Sequence, residues 1–260
     1  MGLRSTCAVV THTMRISNSS KLVSLMTERY GLVKVMAKGA RRPKSKYGAA
    51  LEPVSLIDCI YYHRETRDIQ TLSNTEIIES YLRIKSDITL LAIASCMIEI
   101  AHTYTAPENP SKETFTLLVQ SLYGLKSCAV TDADKHLWRF LLLFLTVSGY
   151  HPSLDRCMVC GKKPRGESVF LSCVDGGILC SCTDPGERYG LRVNPGTLMI
   201  INDLMTSKIE DLARLKIGQA QRSEVEHVTL QFLSYHSGSS RTLRSLAFLR
   251  KLEADRKRKC

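Results

Sequence analysis

The chain has 260 residues, with 36 Lys and Arg against 25 Asp and Glu and 44% hydrophobic residues. That apolar share excludes a disordered chain and allows one large domain or two to three small ones. The net charge of +11 sits at the two ends: residues 1–74 carry a surplus of seven cations and residues 241–260 a surplus of six, which suits a polyanionic partner. No apolar run approaches the roughly 20 residues that span a bilayer. The longest, 88–100 and 137–145, are interrupted by Glu99 and Arg139, and Arg4, His12 and Arg15 break up the first segment. Neither a membrane partner nor a signal peptide is expected.

In chain order, residues 7–14, 22–27, 32–37, 54–62 and 66–72 read as five short strands. Five strands in a unit of residues 1–75 suggest a small barrel, with an OB-fold first among the candidates. The third strand alternates, Val33, Val35 and Ala37 on one face and Lys34, Met36 and Lys38 on the other. It runs into a loop holding Arg41, Arg42, Lys44 and Lys46, six cations between Gly31 and Gly48 with no acid. A buried strand face would hold these cations at one end of a rigid element, where a nucleic acid would bind them. Tyr30, Tyr47, Tyr61 and Tyr62 are either stacking platforms or barrel core.

From residue 76 to the end the pattern is helical, with helices expected over 75–84, 87–104, 111–125, 132–150, 195–206, 209–215 and 223–235. The stretch 132–150 is apolar nearly all round and reads as the buried central helix of a bundle. A basic tail, 239–260, is either a solvated end or a second anion-binding surface.

A Cys- and Gly-rich module at about 155–190 interrupts the helices. Cys157 and Cys160, followed by Gly161, have the spacing of a zinc knuckle. A turn at Asp175, Gly176 and Gly177 would bring Cys180 back to that pair, with Cys182 or Cys173 as the fourth thiolate. Four thiolates leave no open position, so one structural Zn2+ is expected, not a catalytic one. The remaining cysteines are scattered without disulfide spacing, which fits a reducing cytoplasm. No phosphate-cradling glycine motif, nucleophile elbow or triad spacing occurs, and the chain is not expected to be an enzyme. OB barrels and zinc knuckles also occur in translation-associated RNA-binding proteins, the alternative to a DNA-binding function.

Taken together, Thr27-Glu-Arg-Tyr-Gly31, the block from Ala37 to Ser45 (AKGARRPKS), Leu51-Glu-Pro53, Cys157-Met-Val-Cys160-Gly161, Gly176-Gly-Ile-Leu-Cys180 and Arg241-Thr-Leu-Arg244-Ser245 resemble, in the same order, the motifs of the bacterial RecO family. Asn18-Ser-Ser-Lys21 stands where that family has a glycine-acid turn. The resemblance implies an α+β chain: a five-stranded OB barrel followed by an α-helical domain with an inserted four-cysteine zinc module. It implies a DNA repair and recombination mediator that binds single- and double-stranded DNA and anneals complementary strands. With RecR, such a protein promotes RecA loading onto strands coated by single-strand-binding protein, whose acidic C-terminal tail is a further expected partner. A cytoplasmic, nucleoid-associated location follows. The expected DNA contacts are Lys34, Lys38, Arg41, Arg42, Lys44, Lys46, Arg241 and Arg244.

Overall fold

A computed structural model describes residues 2–105, 110–164, 169–180, 189–236 and 243–257. The chain divides into two compact units, Met1–Ser127 with Leu243–Cys260, and Cys128–Thr242.

In the first unit, strands β1 (Gly2–Arg15), β2 (Lys21–Thr27), β3 (Gly31–Ala37), β4 (Leu56–His63) and β5 (Ile69–Glu79) close a barrel in the order β1-β2-β3-β5-β4. Antiparallel pairing of β1 with β4 closes it, and β3 and β5 run parallel. This is the five-stranded OB-fold. Alternation places Ala8, Val10, Val23, Leu25, Val35, Ala37, Ile57, Cys59, Tyr61 and Leu72 in one interior cluster, while Lys34 and Lys38 are exposed. The β3–β4 connection is anchored: Tyr47, Ala50 and Leu51 enter the same interior cluster. The Tyr47 hydroxyl donates to the Leu72 carbonyl at 3.1 Å, and Thr13 Oγ1 donates to the Leu51 carbonyl at 2.6 Å. Gly39 and Gly48 turn this segment at φ +74° and +48°, a region that L side chains rarely adopt.

The helix expected over 75–84 is mostly strand. Residues Thr75 and Ile77 continue β5 by pairing with Cys59 and Ile57 of β4. A hydrogen-bonded edge in a closed barrel outweighs the cap-like Ser73 and Thr75. The division expected after residue 75 therefore falls inside β5. Only the five residues of α1 (Leu82–Ser86) are helical there.

Helices α2 (Ile88–Tyr104) and α3 (Lys112–Ser127) follow, near the expected bounds. Asp87 caps α2, its Oδ1 accepting from the backbone N–H of Thr89 and Leu90 at 2.8 and 3.0 Å.

The second unit is built around α4 (Ala133–Val147), whose His136, Leu137, Trp138, Phe140, Leu141 and Phe144 are among its buried residues. The charge of Lys135, only 3% exposed, is met by Asp132 at 2.7 Å and by the Leu215 carbonyl at 2.7 Å. A small sheet follows, β6 (Val169–Ser172), β7 (Gly177–Leu179) and β8 (Gly190–Val193), in the order β7-β6-β8. Then come α5 (Pro195–Thr206), a 3-10 segment Ile209–Arg214 where an α-helix is expected, and α6 (Gln219–His236). Val225, Val228 and Phe232 of α6 are buried, whereas Tyr235 at the end of that stripe is 40% exposed. The basic tail contains α7 (Arg244–Lys257), which returns to the first unit and packs on α2. No helix among the described residues is long and apolar enough to cross a membrane.

Candidate nucleic-acid interface and metal centre

The cations of the third strand and its loop are all exposed: Lys34, Lys38, Arg41, Arg42, Lys44 and Lys46. Their bases are not equivalent. The Arg41 guanidinium donates to the Ser17 carbonyl at 2.8 Å, and its backbone N–H to the Ser19 carbonyl at 3.0 Å. Arg41 thus ties the basic loop to the β1–β2 turn, the Asn-Ser-Ser stretch where the expected glycine-acid turn is absent. Lys46 donates to the Ser73 carbonyl on β5 and lies 5.3 Å from the Tyr47 ring centre. These two cations brace the loop while remaining exposed. The loop holds its charge in place because its backbone is fixed from both sides.

The four tyrosines separate. Tyr61 is fully buried and Tyr47 is 5% exposed, so both are core. Tyr30 is half-buried, edge-on to Tyr61, with the Arg4 guanidinium 4.5 Å from its ring centre. Tyr62, 37% exposed, offers an accessible ring. It lines a cleft of about 290 Å³ together with Lys38, Arg64, Arg67, Ile69, Gln70 and Thr71. Arg64 and Arg67 form no charge run in the sequence, because Glu65 and Asp68 alternate with them.

Of the two tail cations expected at the interface, Arg241 lies outside the described residues. Arg244 is exposed at the first turn of α7, and its backbone N–H donates to the Glu99 carboxylate at 3.0 Å.

Among the described residues of the cysteine module, the knuckle turn and the hairpin form and bring Cys180 to Cys157 and Cys160. The backbone N–H of Gly161, at φ +68°, donates to the Cys157 carbonyl at 2.9 Å and closes the knuckle turn. The β6–β7 hairpin turns through Val174, Asp175 and Gly176, pinned by Ser172 Oγ, which donates to Asp175 Oδ2 at 2.6 Å. The hairpin is laid against the knuckle by the Met158 N–H donating to the Ile178 carbonyl at 2.9 Å. The sulfur atoms of Cys157, Cys160 and Cys180 consequently lie within 4.8 Å of one another, a set that can hold a metal ion. Burial raises the Cys157 thiol, but hydrogen bonds from the backbone N–H groups of Cys160, Cys180 and Val159 and from the Cys180 thiol outweigh it and bring it down to about 6. These hydrogen bonds favour the thiolate, the form that binds metal.

Cys173 is not in the cluster. It sits at the turn end of the hairpin, where Ser172 pairs with Gly177, whereas Cys180 follows Leu179 at the open end. Several strand residues at about 3.4 Å each separate the two. Cys173 is fully buried, and burial pushes its thiol up to about 12. Cys182, the other expected fourth ligand, lies outside the described residues.

Comparison with known proteins bears on both features. Residues 1–81 match the family model described as recombination protein O N terminal, and residues 85–247 match recombination protein O C terminal. Similar proteins include the DNA repair protein RecO of Salinibacter ruber, 29% identical over 249 residues that cover 95% of this chain and 94% of the relative. Those of Desulfatibacillum aliphaticivorans and Bacillus pumilus are 29% and 28% identical, covering 95% and 96% of this chain and 96% and 94% of the relatives. The matches divide the chain just past β5, near Tyr81, where the barrel ends. With both halves matched in order, the chain belongs to the recombination protein O (RecO) family of DNA repair proteins.

Proposed function

We propose that this protein is a recombination mediator that binds single- and double-stranded DNA and anneals complementary strands. With RecR it promotes RecA loading onto strands coated by single-strand-binding protein, whose acidic tail it contacts. The observation that carries the reading is the cluster of exposed cations from Lys34 to Lys46, held by Arg41 and Lys46 on an OB barrel. Lys34, Lys38, Arg42 and Lys44 are the primary phosphate contacts, Arg41 and Lys46 both brace and contact, and Arg241 and Arg244 add a second basic site. The barrel is the DNA-binding domain, and the remainder of the chain carries the metal module and the basic tail.

Annealing needs no covalent chemistry. Neutralising phosphates on two strands lowers their repulsion, and base pairing supplies the free energy. The cysteine set fits Zn2+: three sulfurs are already gathered, and Cys182, two positions after Cys180 in the sequence, is the fourth thiolate of this reading. When bound, the ion would lock the knuckle to the hairpin, a structural role. The protein acts in the bacterial cytoplasm, at the nucleoid.

The test is an annealing assay with complementary oligonucleotides, with and without single-strand-binding protein. Accelerated annealing of the coated strands is expected. Tight, selective RNA binding without annealing would overturn the reading in favour of a zinc-containing RNA-binding protein.

A further inference from the structure

The cleft beside Tyr62 deepens the DNA-binding reading, on which this inference rests, by giving the barrel a seat for one unpaired nucleotide. Directly paired residues in a sheet share a face. Tyr62 of β4 pairs with Thr71 of β5, Thr71 pairs with Met36 of β3, and two residues along, on the same face, Ile69 pairs with Lys34. Tyr62, Thr71 and Ile69 therefore lie on the same outer wall as Lys34 and Lys38. Lys38, the residue after β3, supplies part of the cleft's rim.

Its chemistry is divided. Tyr62 and Ile69, 37% and 39% exposed, give an aromatic and apolar floor. Lys38, Arg64 and Arg67 give three cations, and no acid lines the cleft. Glu65 and Asp68 belong to the same loop but are not among its lining residues. About 290 Å³ lies at the small end of ligand pockets, room for one flat ring with its phosphate at the rim.

The site is also built in advance. Gln70, 6% exposed, uses its whole amide on the β4–β5 loop. Its Oε1 accepts from the Arg64 N–H at 2.8 Å, and its Nε2 donates to the carbonyls of Arg64, at 3.1 Å, and Arg67. The Arg67 N–H closes the turn on the Arg64 carbonyl at 3.2 Å. Both arginines thus start from a fixed backbone, which reduces the ordering cost of binding.

We propose that this cleft binds a single nucleotide unit of a single strand, its base stacked on Tyr62 and its phosphates held by Lys38, Arg64 and Arg67. A base inside a duplex has both faces covered by its neighbours and cannot reach the Tyr62 ring. The cleft therefore selects single strands, whereas the basic loop serves single and double strands alike.

The experiment measures fluorescence anisotropy with a labelled oligothymidylate and with a duplex of equal length. Tyr62→Ala should weaken single-strand binding about tenfold, the range of one base–aromatic stack, and leave duplex affinity unchanged. Tyr62→Phe should retain it. Arg64→Ala with Arg67→Ala should lower the single-strand salt slope by about one unit. Thr71→Trp, which fills the cleft without removing a packed side chain, should reproduce the Tyr62→Ala loss and guards against a folding artefact. Equal losses on both DNAs, or no loss on the single strand, overturn the cleft while leaving DNA binding by the protein intact. A wild-type protein that binds neither DNA overturns both.

Discussion

The carboxylate of Glu99, in α2, accepts hydrogen bonds from the backbone N–H groups of Arg244 and Ser245, at 3.0 and 2.8 Å. The N-terminus of α7 is capped by a side chain 145 positions away in sequence. Its own cap position is Leu243, whose carbonyl accepts from the Ala247 N–H at 3.1 Å but whose side chain has no oxygen. The same carboxylate faces the positive end of the helix. Leu243 and Leu249, 7% and 5% exposed, add apolar anchors.

Removing that cap should release α7 before the rest of the protein. Glu99→Ala is expected to cost about 1 kcal/mol of local stability and to raise hydrogen exchange across residues 244–257 while exchange in the barrel stays unchanged. Glu99→Gln, which keeps an acceptor but not the charge, should fall between. Uniform exchange in all three proteins would show that the cap holds nothing.

The basic loop makes a graded prediction. Lys38, Arg42 and Lys44 together changed to Ala should lower the slope of log affinity against log salt for single strands by about two units, at about 0.7 per phosphate contact. Arg41→Ala and Lys46→Ala should do more damage than their single charges, because each also frees the loop from Ser17 or Ser73. Salt titrations of DNA binding, with circular dichroism as a folding control, separate the two behaviours. A slope unaltered in the folded triple variant would remove the loop from the interface.

For the cysteines, metal analysis of purified protein should find about one zinc per chain, lost in Cys157→Ser, Cys160→Ser, Cys180→Ser and Cys182→Ser. Cys173→Ala should keep its metal and lose stability only through its buried packing. Chelation should lower the melting temperature, because metal binding at such a site is itself folding free energy. Retention of metal in Cys157→Ser would refute the site.

His136 should make the protein acid-sensitive. Burial foremost, then the charge of Arg139 and more weakly of Lys135, lowers its pKa to about 4, with Asp132 opposing; Nδ1 is buried without a hydrogen-bond partner among the described residues. In the unfolded chain the imidazole titrates near 6.5. Between those values the unfolded state carries the extra proton, so stability is fully present above pH 6.5 and falls as the pH drops toward 4. The slope from this group is at most about 1.4 kcal/mol per pH unit. His136→Leu should flatten the profile of urea midpoints over that window; an unchanged profile would assign the sensitivity to other groups.

Much of this was readable in the sequence because the barrel strands alternate cleanly and α2 and α5 start from side-chain caps, Asp87 and Asn194. Val33, Val35 and Ala37 announced the wall that carries Lys34 and Lys38, and the knuckle spacing announced Cys157, Cys160 and Cys180. Three things were hidden for physical reasons. The end of β5 was obscured because Thr75-Glu76-Ile77-Ile78-Glu79 has a helix-like start, and only pairing with β4 makes it a strand. The tail was ambiguous because α7 is polar, and its order comes from Glu99 and from packing on α2. The cleft was missed because Tyr62, Arg64, Arg67 and Lys38 meet only when β3, β4 and β5 are placed side by side.

The return of α7 to the first unit has a consequence for synthesis. During synthesis the surface of α2 that receives α7 stays bare until the whole of Cys128–Thr242 has been translated. With elongation at roughly 5–20 residues per second, that leaves this face of α2, Glu99 included, waiting on the order of ten seconds for its cover. The segment that completes the first unit is made only after the second unit has been translated.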